Sequence, residues 1–151
     1  MRFLREQLGQ SLVELALTLP MLTFGLIGGA DLARSLAIEV AVQNGARAGA
    51  EATALDQTPT SAEAVAHAQQ EMNRTPGMNA ANATITVTFT QADGTSVCTG
   101  APNIQTSGAS SIATPCYANV RVQYTFNTLV AWPIVPNTLS FDRSTRVRRF
   151  Q

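Results

Sequence analysis

Sixteen consecutive residues without a charge, positions 15–30, constrain this chain more than any other feature of its sequence. Across residues 12–33 the only charged side chains are Glu14 and Asp31. A helix that crosses the hydrocarbon core needs about 20 residues at about 1.5 Å each, and residues 12–33 meet that length. Arg2 and Arg5 precede the run and no basic residue interrupts it. The positive-inside rule then places the N-terminus in the cytoplasm and the remainder of the chain outside. The expectation is a single-pass membrane protein with an exported C-terminal domain. A cleaved secretory signal is the competing reading, because Gly28-Gly29-Ala30 offers a small-residue cleavage site before Asp31. Glu14 inside the apolar run, and helical patterning that continues past Ala30, argue against it.

Charge excludes other classes. The chain of 151 residues has ten Arg, no Lys and ten Asp plus Glu, so its formal net charge is zero. Nucleic-acid binding by phosphate neutralisation is not expected from so few charges. His67 is the only histidine, there is no Gly-x-Ser-x-Gly, and no metal-ligand spacing is visible. No catalytic residue, cofactor, metal or small-molecule ligand is therefore expected, although an exported hydrolase is the rival an activity screen would exclude. Cys98 and Cys116 lie in the polar second half. In an exported segment such a pair reads as one disulfide.

The residues around Glu14 carry a sharper signal. In Gly9-Gln10-Ser11-Leu12-Val13-Glu14-Leu15 a glycine ends a short basic leader, and an acid follows five residues later inside the apolar run. Pro20 comes next, then Asp31-Leu32-Ala33-Arg34, then Asn44-Gly45-Ala46-Arg47-Ala48-Gly49-Ala50. This order resembles the TadE-like family, the minor pilins or pseudopilins of the tight-adherence (Flp-type) pilus. Leu15 stands where that family usually has Phe. The resemblance covers about the first fifty residues. It implies cleavage between Gly9 and Gln10 by a prepilin peptidase, with Glu14 becoming the fifth mature residue. It also implies partners: other pilin or pseudopilin subunits meeting this chain through the N-terminal helix. An acid in a bilayer costs on the order of 2.5–3.5 kcal/mol on insertion scales. Two readings offset that cost: a role for Glu14 in processing or in pairing with a neighbour's new N-terminal amine, or an interfacial side chain that reaches water.

The helix itself has readable parts. Pro20 cannot donate to the Ala16 carbonyl, so a kink is expected there, with Thr18 and Thr23 helping to satisfy freed backbone groups. Small residues recur every four positions: Gly25, Gly29, Ala33, Ala37, Ala41, Gly45 and Gly49. Such spacing lets helices approach closely, and it points to contacts with neighbouring subunits. A partnerless Ala-rich helix is the plainer alternative. A second row, Ser35, Glu39, Gln43, Arg47 and Glu51, supplies a polar side, and Asp31 and Arg34 are charges at the outer interface. One helix over residues 12–55 is expected.

Beyond it, Thr60-Ser61-Ala62-Glu63 reads as a capping box opening a second helix that runs to about Arg74 and stops at Thr75-Pro76-Gly77. His67 on that helix is expected to face solvent. Ile85, Val87 and Phe89 alternate with threonines, and Val120, Val122, Tyr124 and Phe126 alternate with polar residues, the period of half-buried antiparallel strands. A third strand over residues 139–150 is less regular and predicts a bulge near Asp142 and Arg143. The polar loop over residues 92–115 is to be closed by Cys98 and Cys116, a constraint of about 3 kcal/mol on the loop-entropy model. The apolar stretch 129–136, with the only Trp at 132, is core, subunit contact or membrane-interface anchor. Arg143, Arg146, Arg148 and Arg149 read as an outward charged edge, or as a contact for anionic lipid or an acidic subunit. The expected fold is α+β: a long N-terminal transmembrane helix, a short helix, and a small three-stranded antiparallel meander with the second helix on its apolar face, the base of the long helix sharing that small core. The divisions are a prepilin-type leader (1–9), the long helix (10–55) and the exported domain (56–151). A membrane-anchored adhesion domain that never enters a filament remains the functional alternative.

Overall fold

The computed structural model describes residues 2–55, 61–96, 98, 115–131 and 136–149. Helix α1 spans Arg2–Ala54, 53 residues, about 80 Å at about 1.5 Å per residue. Its helical assignment is unbroken through Pro20. Helix α2 covers Ser61–Met72; Thr60, the proposed N-cap, lies outside the described residues. A turn through Gly77, at φ 78°, ends this segment. That positive φ is where glycine has no Cβ penalty. A 3-10 turn at Ala80–Asn82 follows, held by the Asn73 side chain, which accepts from the Ala80 N–H at 2.9 Å.

Strands β1 (Thr84–Gln91), β2 (Cys116–Asn127) and β3 (Thr138–Arg148) form one antiparallel sheet in the order β1-β2-β3. Alternation sets its faces. Ile85 pairs with Val122, Val87 with Val120 and Phe89 with Ala118, all on the inner side, while Thr84, Thr86 and Thr88 face out with Gln123, Arg121 and Asn119. The fold class is the α+β arrangement read from the sequence. The disulfide forms between Cys98 and Cys116, with Cα atoms 6.0 Å apart. It ties the end of the β1 loop to the first residue of β2. A loop of this size contributes on the order of 3 kcal/mol when closed.

Three expectations are corrected. The β2–β3 register runs without interruption from Tyr117↔Arg148 to Asn127↔Thr138, so there is no bulge at Asp142 and Arg143. The broken pattern has another cause. Arg143 sits opposite Val122 on the inner face, where its guanidinium donates to the Glu39 carboxylate on α1. A charge occupies an inward position because a partner meets it there.

The sheet's inner face is covered chiefly by α1, not α2. The core joins Ile38, Val42, Ala46 and Ala50 of α1 to Val120, Val122, Tyr124 and Phe126 of β2, with Met72 and Ala80 at the side. Helix α2 buries Ala64, Ala68 and Met72, and packs mainly on α1. Alanines permit close helix approach but supply little bulk to fill the space over a sheet, whereas Ile38 and Val42 supply it. Last, the C-terminal arginines are not one outward edge. Arg143 faces α1, Arg149 is 3% exposed, with its guanidinium 5.6 Å from the Phe89 ring centroid, and Arg146 stacks over Tyr117 at 4.2 Å. Phe150 lies outside the described residues.

Candidate functional site

Helix α1 carries the residues singled out in the sequence, and it divides into two halves of opposite character. From Leu12 to Leu26 its large apolar side chains are exposed, among them Leu17, Met21, Leu22 and Phe24. The apolar window that qualifies this helix as a membrane span has none of its residues buried against the rest of the chain. Near its start, Gly9 and Gln10 are part of the helix, and the Gln10 amide donates to Glu14 Oε1 at 3.3 Å. Positions 10 and 14 therefore share a face. Thr18 donates to the carbonyls of Glu14 (2.9 Å) and Leu15 (3.3 Å), and Thr23 to that of Leu19 (2.8 Å). Neither hydroxyl reaches the Ala16 carbonyl that Pro20 leaves without its helical donor, contrary to expectation. The geometry is simply that of threonine in a helix, bonding back three or four residues to its own turn.

From Asp31 onward the other half begins. Asp31 is 5% exposed. Its carboxylate accepts the Leu129 N–H at 3.0 and 3.2 Å and pairs with Arg34 at 3.3 Å. The Arg34 guanidinium in turn lies 5.3 Å from the Phe126 ring centroid. The sequence marked Asp31 and Arg34 as interface charges; it gave no sign that Asp31 clasps the β2–β3 connection, 98 residues away. Ser35, read as part of a polar stripe, is buried and donates to the Leu32 carbonyl at 2.8 Å. Arg47 and Glu51 form the expected i,i+4 pair at 2.6 Å on an exposed surface, and the Glu51 carboxylate raises the Arg47 pKa by hydrogen bonding and charge.

The four-spaced row of small residues is split the same way. At Gly25 and Gly29 an added Cβ would meet nothing within 4 Å, and Ala33 and Ala37 are exposed. Ala41, Gly45 and Gly49 are buried. A Cβ at Gly45 would lie 2.4 Å from Met72 Cγ and 3.1 Å from the Ala68 carbonyl oxygen. One at Gly49 would lie 3.1 Å from the Ala64 carbonyl oxygen and 3.3 Å from Val120. The upper glycines thus seat α2 within the same chain. Only the lower part of the row faces outward. His67 is exposed, as expected. Among the described residues no group of three His, Cys, Asp or Glu is arranged to hold a metal ion.

A family model for TadE-like protein matches residues 9–51. This segment is TadE-like. The match begins at the glycine that would end the leader and stops at the acid that pairs with Arg47. It therefore takes in both the bare half of α1 and the glycine seat for α2, and leaves α2 and the sheet outside. No curated protein and no solved structure is significantly similar to the chain. The long apolar helix is consistent with a membrane anchor. Within the TadE-like segment, the Asn44-to-Ala50 stretch acquires a physical meaning: Gly45 and Gly49 form the seat on which α2 rests, Ala46 and Ala50 join the core with the sheet, and Arg47 points to solvent.

Proposed function

We propose that the chain is a minor pilin or pseudopilin of a tight-adherence, type IV-like pilus. It enters the inner membrane with its N-terminus cytoplasmic, is cut after Gly9 by a prepilin peptidase, and then meets other subunits through the lower half of α1. The observation that carries this reading is the bare apolar helix. Each large side chain left in water forfeits about 1.5–3 kcal/mol, and α1 exposes a continuous series of them between residues 12 and 26. A bilayer covers that surface first, and neighbouring helices cover it in a filament. The continuity of α1 across Ala30 and Asp31 supports an anchor that is kept, since a secretory signal would be discarded there.

Gln10 and Glu14, adjacent on one face, suit the roles the resemblance implies. After cleavage the new amine at Gln10 lies one turn from an acid, and a neighbour's Glu14 can meet that amine. Helical structure at Gly9 means the turn must open before a peptidase can reach the bond. Glycine lowers the cost of that opening, because it favours the helix less than alanine by about 1 kcal/mol.

The mature N-terminus decides the matter. Mass spectrometry of the membrane fraction, with and without prepilin peptidase, should find a chain starting at Gln10 only when the peptidase is present. A chain starting at Asp31 would overturn the proposal. Glu14→Gln should still insert but be processed or incorporated poorly; normal entry into the pilus would remove Glu14 from the mechanism.

A further inference from the structure

We propose that the base of the exported domain is seated in the outer leaflet, with a phospholipid acyl chain lying in a groove between α1 and β3; this rests on the membrane-anchor reading above. The groove has a volume of about 340 Å³. Phe24, Gly25, Gly29 and Leu32 line it on the helix side, and Phe126 and Leu139 on the domain side.

Depth identifies the occupant. Phe24, Gly25 and Gly29 lie within the uncharged run of α1, so an anchored chain holds them at the level of hydrocarbon. The groove's polar lining is Asp31, Ser35 and Thr128, each already hydrogen-bonded within the chain, so water there would find few of the two to four polar partners that a confined water needs. Size admits a single acyl chain: between Phe24 and Leu32 the helix rises about 12 Å, and the groove is open along that length. A neighbouring helix at the same face is the alternative outcome of the dilution measurement. The bare glycines at 25 and 29, where a Cβ would meet nothing, leave the helix side of this space open.

The distribution of apolar surface on the domain points the same way. Among the described residues 61–149, the large hydrophobic side chains that remain exposed are Leu129, Val130 and Leu139. All three flank the β2–β3 connection, at the end of the domain next to the membrane run. The Asp31 carboxylate holds that connection through the Leu129 N–H. It thereby fixes its height relative to the bilayer. Asp31 borders the groove, and its bonds to the Leu129 N–H and to Arg34 offset the cost of an ionisable group beside lipid.

The test uses the full-length chain in phosphatidylethanolamine–phosphatidylglycerol vesicles. Both native cysteines are in the disulfide, so a nitroxide can be placed on a single new thiol in Leu22→Cys, Leu129→Cys or Thr86→Cys. Accessibility to oxygen, which partitions into lipid, is compared with accessibility to a water-soluble nickel chelate. The label at 129 should match that at 22, with an oxygen-to-nickel ratio several-fold above that at 86. If 22 reads as lipid and 129 as water, the seating fails while the anchor stands; if 22 also reads as water, the anchor reading itself fails. A second measurement addresses the groove with lipid labelled on its acyl chain. The motionally restricted lipid component should shrink in Gly25→Leu/Gly29→Leu relative to the native chain. An unchanged component overturns the acyl-chain assignment. So does dipolar broadening of the label at 22 that disappears on dilution with unlabelled protein, since it would place a second copy at this face.

Discussion

The two halves of α1 use the same residue spacing for different ends. Below Asp31 the glycines of the four-spaced row, Gly25 and Gly29, open onto empty space. Above it Gly45 and Gly49 press on Met72 and on the carbonyl oxygens of Ala64 and Ala68. Small residues every four positions let something approach closely, but the spacing does not say what approaches. In one half the partner lies outside the folded chain, and in the other it is α2. The same helix is therefore a docking surface along part of its length and a core element along the rest, and mutations can tell the two parts apart.

The largest difference should come from a matched pair. Gly45→Leu forces a side chain into a space where even a Cβ meets Met72 at 2.4 Å. Overpacking of this kind costs about 1–3 kcal/mol. The upper end of that range is expected, because the Ala68 carbonyl behind Met72 is backbone and cannot swing aside. Gly25→Leu adds the same atoms in open space and should leave the domain's thermal unfolding in detergent unchanged. Equal losses from the two substitutions would erase the distinction between the halves.

Next in size is the boundary between them. Asp31→Ala removes the acceptor of the Leu129 N–H and leaves a part-buried donor without its partner, a loss of about 1–3 kcal/mol. Amide exchange at Leu129 should accelerate along with the fall in stability. Asp31→Asn retains an acceptor oxygen and should lose less. If Asp31→Ala changes neither quantity, the domain is held to α1 by its core alone.

Much of this was legible in the sequence, and the rest was hidden for identifiable reasons. Local periodicity revealed α1, α2 and the three strands, because burial on one face writes a period of two or of about 3.6 into the chain. The disulfide followed from compartment and number of cysteines. What failed to show were contacts between residues far apart in sequence. Arg143 looked like an interruption of β3 because its partner, Glu39, is 104 residues away. Asp31 looked like an interfacial charge for the same reason. The choice of α1 as cover for the sheet depended on comparing the bulk of Ile38 and Val42 with the alanines of α2, a comparison periodicity does not make.

The Glu39–Arg143 pair offers a smaller test of that lesson. Both side chains are partly exposed, and such pairs contribute at most about 1 kcal/mol. Glu39→Gln should destabilise the domain by less than Asp31→Ala does. Replacing both residues, as Glu39→Leu/Arg143→Leu, should restore most of the loss, because the positions face each other across the sheet–helix interface. A double variant worse than either single one would show that the charge itself is needed.

The smallest effect is a pH dependence confined to the domain. The Asp93 carboxylate accepts from the Ser96 hydroxyl and from the N–H groups of Ser96 (3.0 Å) and Thr95 (3.1 Å). These bonds, the Ser96 hydroxyl first, hold its pKa down to about 2. On the outer face of the sheet Arg121 donates to Asp142 at 2.9 and 3.1 Å, with Gln123 adding a bond at 3.1 Å; the Arg121 hydrogen bond is the main reason the Asp142 pKa is lowered. A depressed carboxylate stabilises the fold above its unfolded value, about 4, and that contribution disappears as pH falls through the folded value. The domain's melting temperature should accordingly drop slightly between pH of about 4 and about 2. Helicity of the lower half of α1, followed separately by amide exchange, should not follow it, since neither group touches that half. Asp93→Asn/Asp142→Asn should flatten the slope. If the slope survives, the acid sensitivity of the domain does not reside in Asp93 and Asp142.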